Sequence, residues 1–125
     1  MEGSPMQKNE RYIERVWVEI DVDKMIESCR VIREEMIPEG IKLMAVLKSD
    51  AYGHGAAYLA PILEKECKVD WFAVACLAEA IELRKSGVKN PILILGLTEP
   101  RYAQLLAKYT LTPVSYTHLA RCLEP

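Results

Sequence analysis

The sequence has few of the residues that announce a function by themselves. Its four cysteines, Cys29, Cys67, Cys76 and Cys122, are irregularly spaced and form no CxxC pair. The two histidines, His54 and His118, lie too far apart to make a local zinc site. Buried or reduced thiols are therefore expected, as suits a cytoplasmic protein, and no metal. Charge of either sign is not in excess: 16 Lys and Arg against 18 Asp and Glu leave a net charge of −2, and no basic run could track a phosphate backbone. Neither nucleic acid nor an anionic membrane is an expected partner. The longest apolar stretch, "PILILGL", is far short of the roughly 20 residues that span a bilayer. The opening "MEGSPMQKNERYIER" lacks the apolar segment of a secretory signal, so residues 1–15 read as a flexible lead-in.

What is present is apolar material in a regular order. Half of the 125 residues are hydrophobic, enough for the core of one small domain or of part of a larger one. "VWVEID", from Val16, alternates apolar and acidic residues and predicts a strand with one wet face. Asp21 or Asp23 can cap a following helix, whose apolar stripe would be Met25, Cys29, Ile32 and Met36. "IPEG" ends it, because Pro38 cannot continue the hydrogen-bond ladder and Gly40 accepts unusual backbone angles. A strand–helix theme then repeats: "IKLMAVLK" with "AAYLAPILEKEC", "WFAVAC" with "LAEAIELRKSG", and "PILILG" with "PRYAQLLAKYT". Pro61 is tolerable in a first turn or at a kink, and Gly87 closes the second of these helices. "LTPVS" starts a fourth strand that Pro113 weakens. This alternation predicts βαβ units and a parallel sheet covered by helices. Both an open doubly wound sheet and an eight-stranded barrel begin this way, and four units are half of a barrel.

In such folds the working residues gather where strands end. "AVLKSDAYGHG", from Ala45 to Gly55, puts Lys48 at that place. Val46, two residues earlier, points to the same face as Lys48. A lysine beside an apolar floor loses hydration, and its neutral amine becomes easier to reach and able to attack an aldehyde. Each residue also has an ordinary role open to it: Lys48 solvated, Tyr52 packing, Gly53 and Gly55 turning the chain, His54 bonded to nearby backbone.

As a set, "AVLKSDAYGHG" closely resembles the cofactor-lysine signature of alanine racemases, with Ser49 and Asp50 as mild departures from the usual pattern. "VWVEIDVDKM" is similar to that family's opening, and "FAVACLAEAIELRKSGVKNPILILG" to its second and third barrel units, so the likeness runs from about Val16 to about Thr112. The resemblance implies an α/β fold, the N-terminal part of a TIM-type (β/α)8 barrel over residues 16–114 with about four βα units, truncated, without the family's C-terminal β-domain. It implies pyridoxal phosphate held by Lys48 as an internal aldimine, with Lys48 then exchanging the Cα proton on one face of the substrate. Tyr52 matches the tyrosine that binds the cofactor phosphate. Val46 and Leu95 match apolar residues beside the cofactor, although barrel-core packing explains them equally well.

The implied activity is interconversion of L- and D-alanine, the latter for peptidoglycan, in a cytoplasmic homodimer. The family's opposite-face tyrosine, and further cofactor contacts from later barrel strands, have no counterpart in these residues, so this chain alone is expected to be inactive. Two alternatives stay open: a racemase for serine or another amino acid, and a non-catalytic pyridoxal-phosphate-binding protein. After "LTPV" the chain leaves the family pattern. Its "VSYTHL" resembles a peptide encoded by sequencing-adapter DNA, so residues 115–125 are either non-native sequence on a truncated gene model or a genuine short terminus.

Overall fold

The structure is a computed structural model that describes residues 18–114. The lead-in and the atypical tail lie outside the described residues, as do Val16, Trp17 and Cys122. The strand expected from Val16 is not seen in its described part, since Val18–Ile20 is irregular and Val18 is exposed. Alternation makes a strand only where a neighbouring strand supplies partners, and none of the sheet's strands lies beside this segment.

Asp21, not Asp23, caps α1 (Val22–Val31): the Lys24 N–H donates to its Oδ1 at 3.0 Å. Met25 and Cys29 pack against the core as expected, but Ile32 and Met36 are exposed. For Met36 the reason is a wider π-helical turn over Ile32–Met36, which rotates later residues off the line set by a 3.6-residue repeat. The helix stops before Pro38, and Gly40 takes φ +85°.

Four short strands follow, β1 (Met44–Val46), β2 (Trp71–Val74), β3 (Ile92–Ile94) and β4 (Leu111–Pro113), in one parallel sheet of order β1-β2-β3-β4. Between them run α2 (Lys48–Gly53), α3 (Ala56–Glu66), α4 (Leu77–Lys85) and α5 (Ala103–Tyr109), the last entered through a 3-10 turn over Pro100–Tyr102. Pro61 is the sixth residue of α3, beyond the first turn where its missing N–H would cost nothing. Gly87, at φ +100°, closes α4. Pro113 does pair with Ile94. The Val114 N–H donates to the Ile94 carbonyl, so the proline nitrogen one residue back faces the open edge, where no donor is needed.

Consecutive order decides between the two architectures. Right-handed crossovers in a 1-2-3-4 order put every helix on the same face of the sheet, as in a barrel, whereas a doubly wound sheet reverses its order. Parallel register places Phe72, Val74, Ile92 and Ile94 on the covered face, all with no accessible surface. Leu59, Leu83 and Leu106 from α3, α4 and α5 complete that core. On the other face Met44 and Val46 are exposed, and their neighbours Trp71 and Leu93 half-buried. This apolar, uncovered face is the interior side of a barrel wall.

Candidate active site

The C-terminal ends of β1, β2 and β3 form one rim. Beyond β1 the ladder makes a last bond, from the Leu47 N–H to the Ala73 carbonyl at 2.8 Å. Lys48 comes next, half-buried, and then the chain enters α2. Ser49, Asp50, Ala51 and Tyr52 all have φ of 53–55° and ψ of 38–50°, a turn of left-handed helix built from non-glycine residues. Such a conformation costs ~1–2 kcal/mol for each residue with a Cβ. Side-chain anchors and backbone bonds offset it. Leu47 and Ala51 are buried, the Ala51 N–H donates to the Leu47 carbonyl (2.9 Å), and the Gly55 N–H donates to the Asp50 carbonyl (3.0 Å).

Gly53 and Gly55, at φ +84° and +85°, carry the chain out of this turn, the role expected for them. His54 is bonded to nearby backbone, also as expected: its Nδ1 lies 2.9 Å from the Ala51 carbonyl. A carbonyl only accepts, so Nδ1 carries the proton. From the sequence, Asp50 was placed in this segment without a role and Glu79 was left out of it. Asp50 accepts the Ala56 N–H at 2.7 Å and so starts α3. Glu79, in the first turn of α4, accepts the Ser49 N–H on Oε1 and the Ala75 N–H on Oε2, both at 2.8 Å. The visible signal was a Glu early in a helix, but without Ser or Thr at the cap the capping-box pattern was incomplete.

The left-handed turn brings Lys48 and Tyr52 together. The Lys48 Nζ stands 5.9 Å from the centroid of the Tyr52 ring, at the limit of a cation–π contact. None of the ion pairs among the described residues involves Lys48. Tyr52 is itself 61% exposed, so its ring flanks the amine from the open side. Val46 lies on the bare face of the sheet, and alternation puts Leu95, just past β3, on that face too. Both are exposed. The structure therefore sets an amine and a phenol at the rim of an uncovered apolar wall. These residues fit a ligand that combines an aldehyde, an aromatic ring and an anion, the chemistry of pyridoxal phosphate.

Two other features lie apart. A groove of ≈930 Å³ runs between α1 and α3, lined by residues such as Ile26, Arg30, Glu34 and Ile62, away from the strand ends. Among the thiols, Cys67 is buried, and burial, reinforced by the neighbouring Cys29, raises its pKa to about 12, whereas Cys76 is exposed beyond β2. Among the described residues, no helix is long and apolar enough to cross a membrane.

The family model for the alanine racemase N-terminal domain matches residues 20–120. The chain belongs to the alanine racemase family. Alanine racemase 1 of Caldanaerobacter subterraneus subsp. tengcongensis is 46% identical over 99 residues, covering 79% of this chain and 25% of the relative. The crystal structure of alanine racemase from E. faecalis superposes with a TM-score of 0.76 at 38% identity, over 84% of this chain and 28% of that one. A serine/alanine racemase from Enterococcus gallinarum is 42% identical over 100 residues, 80% of this chain and 14% of the relative. The chain thus spans about a quarter of the length of the alanine racemases it matches, and its parallel sheet corresponds to the N-terminal part of their barrel.

Proposed function

We propose that these residues form the cofactor-lysine segment of a pyridoxal-phosphate-dependent alanine racemase that interconverts L- and D-alanine. The observation that carries this reading is the placing of Lys48: a half-buried lysine at a strand mouth, paired with no carboxylate among the described residues, beside Tyr52. When bound, pyridoxal phosphate supplies a conjugated sink for the electron pair left by a broken Cα–H bond. Lys48 would hold the cofactor through its Nζ, and its amine would take or return the Cα proton on one face of the substrate. The Tyr52 hydroxyl would bind the phosphate. Val46 and Leu95 offer apolar contact to the ring and keep water from it.

Inversion needs a second proton-transfer group on the opposite face. The family resemblance implies that this group is a tyrosine supplied across a homodimer interface. The D-alanine product would serve peptidoglycan synthesis in the cytoplasm. A racemase for serine is the second reading, favoured by the similarity to the serine/alanine enzyme. Its substrate would be chosen by groups beyond this segment.

The test is trapping. Borohydride reduction of the chain with pyridoxal phosphate should add the reduced cofactor to the peptide containing Lys48, and Lys48→Ala should remove that adduct. Labelling spread evenly over the surface lysines would refute the assignment. Without borohydride, the chain with pyridoxal phosphate should convert L-alanine to D-alanine no faster than free cofactor does; sustained racemisation would show that an opposite-face group is already present.

A further inference from the structure

We infer that Glu79 is a positioning residue for Lys48, acting through the backbone of Ser49. This rests on the reading of Lys48 as the cofactor lysine. One carboxylate accepts two N–H groups from two strand ends, Ser49 after β1 and Ala75 after β2, each at 2.8 Å. Bonds from N–H to an ionised carboxylate are stronger and more directional than neutral ones. The Ser49 nitrogen belongs to the peptide that leaves Lys48. On the other side of Lys48 the Leu47 N–H is fixed by the sheet ladder. The Cα of Lys48 is therefore held from both sides, and with it the direction in which the long side chain departs.

Among the described residues no other side chain accepts the Ser49 N–H. Ser49 opens the left-handed turn at φ 53°, a conformation that relaxes unless its surroundings hold it. Ser49, Asp50 and Glu79 line a cavity of ≈360 Å³ beneath that turn, so water could satisfy the freed N–H. A mobile water does not define an angle. Glu79 itself stands on a firm base, because Ala80 and Leu83 of α4 are buried in the core. The bond to the Ala75 N–H, one residue before the Cys76 N-cap, ties the end of β2 to α4. The second oxygen, reaching a different strand, is what that local tie does not explain.

The test compares the wild-type chain with Glu79→Ala and Glu79→Gln by three readouts. Amide hydrogen exchange at Ser49 and Ala75 reports the two bonds. Peptide-resolved reductive methylation with formaldehyde reports the accessibility of each lysine and needs no cofactor. Pyridoxal phosphate titration with borohydride trapping reports how well Lys48 is aimed. In Glu79→Ala, both amides should exchange faster, and Lys48 alone among the lysines should methylate faster, by roughly threefold, as the amine swings free. Apparent cofactor affinity should fall by roughly tenfold, since small misplacements of a reacting group are costly. Glu79→Gln, which keeps one acceptor, should fall between.

Faster amide exchange with unchanged Lys48 methylation would reduce Glu79 to a tie between strand ends and overturn the inference. So would a uniform rise across all lysines, which would mean general loosening. If Glu79→Ala does not fold, Glu79→Gln is judged by the same criteria. A wild-type chain that takes up no cofactor would sink the cofactor role of Lys48, while methylation would still decide whether Glu79 aims it.

Discussion

Lys48 draws its meaning from two neighbours in space and one in sequence. Tyr52 is four residues on, and a left-handed turn is what folds its ring back towards the amine. The lysine, tyrosine and glycines were legible in the sequence because their types are distinctive and close together. Glu79 and Asp50 were not, because a carboxylate that binds backbone N–H looks the same in sequence as one that faces water. Asp70 makes the same point at the opposite end of the sheet. Its Oδ2 accepts the Leu43 N–H at 2.7 Å and the Arg33 guanidinium at 2.9 Å, and these bonds hold the carboxyl below its ordinary range. A depressed folded pKa contributes stability that is complete above the unfolded value of about 3.9 and is lost as pH falls through the folded value. Asp70→Asn should therefore flatten the acid limb of stability, seen as a smaller drop in urea midpoint between neutral and acidic pH than wild type shows. An unchanged acid limb would mean that other carboxylates set it.

At the scale of elements, the strands lie within the segments their apolar runs predicted, but shortened: "IKLMAVLK" yields strand only over Met44–Val46. Length was not legible because a strand ends where its neighbour stops offering partners. Gly96 shows how closely the rim is built. A Cβ there would collide with the Ala75 carbonyl, which already accepts the Gly96 N–H at 3.0 Å. Gly96→Ala should push β2 and β3 apart at the rim and cost about 1–3 kcal/mol in unfolding free energy. Chemical denaturation checks it, and a loss under about 0.5 kcal/mol would show that the rim yields freely. Arg84 is a further tie that pattern reading could not give. Its guanidinium donates to the carbonyls of Val88, Asn90, Tyr109 and Thr110, fastening α4 to the turns that precede β3 and β4.

Over the described residues the chain is a parallel wall with its helices packed on one side. Its bare face carries Met44, Val46 and Leu95 in contact with solvent, an arrangement barrel interiors do not share. The chain should bind a hydrophobic dye strongly, and Met44→Lys should weaken that binding while changing stability by less than about 0.5 kcal/mol, since the side chain is already 39% exposed. In a chain extended by the remaining barrel units, the same substitution would bury a charge and cost about 3 kcal/mol or more. Denaturation of the two forms side by side measures the difference. Equal effects would mean that this face is covered already.

By itself the sequence determined the parallel α/β class, the family signature around Lys48 and the rim that bears it, because periodicity and distinctive residue types are local properties. Only the tertiary structure decided which sheet face is bare, that Glu79 reaches across to Ser49, and that Lys48 leans on Tyr52. Those depend on strand order, on a left-handed turn and on a side chain meeting a backbone N–H thirty residues away in sequence. Such contacts are set by the packing of the whole chain, which no local window of residues contains.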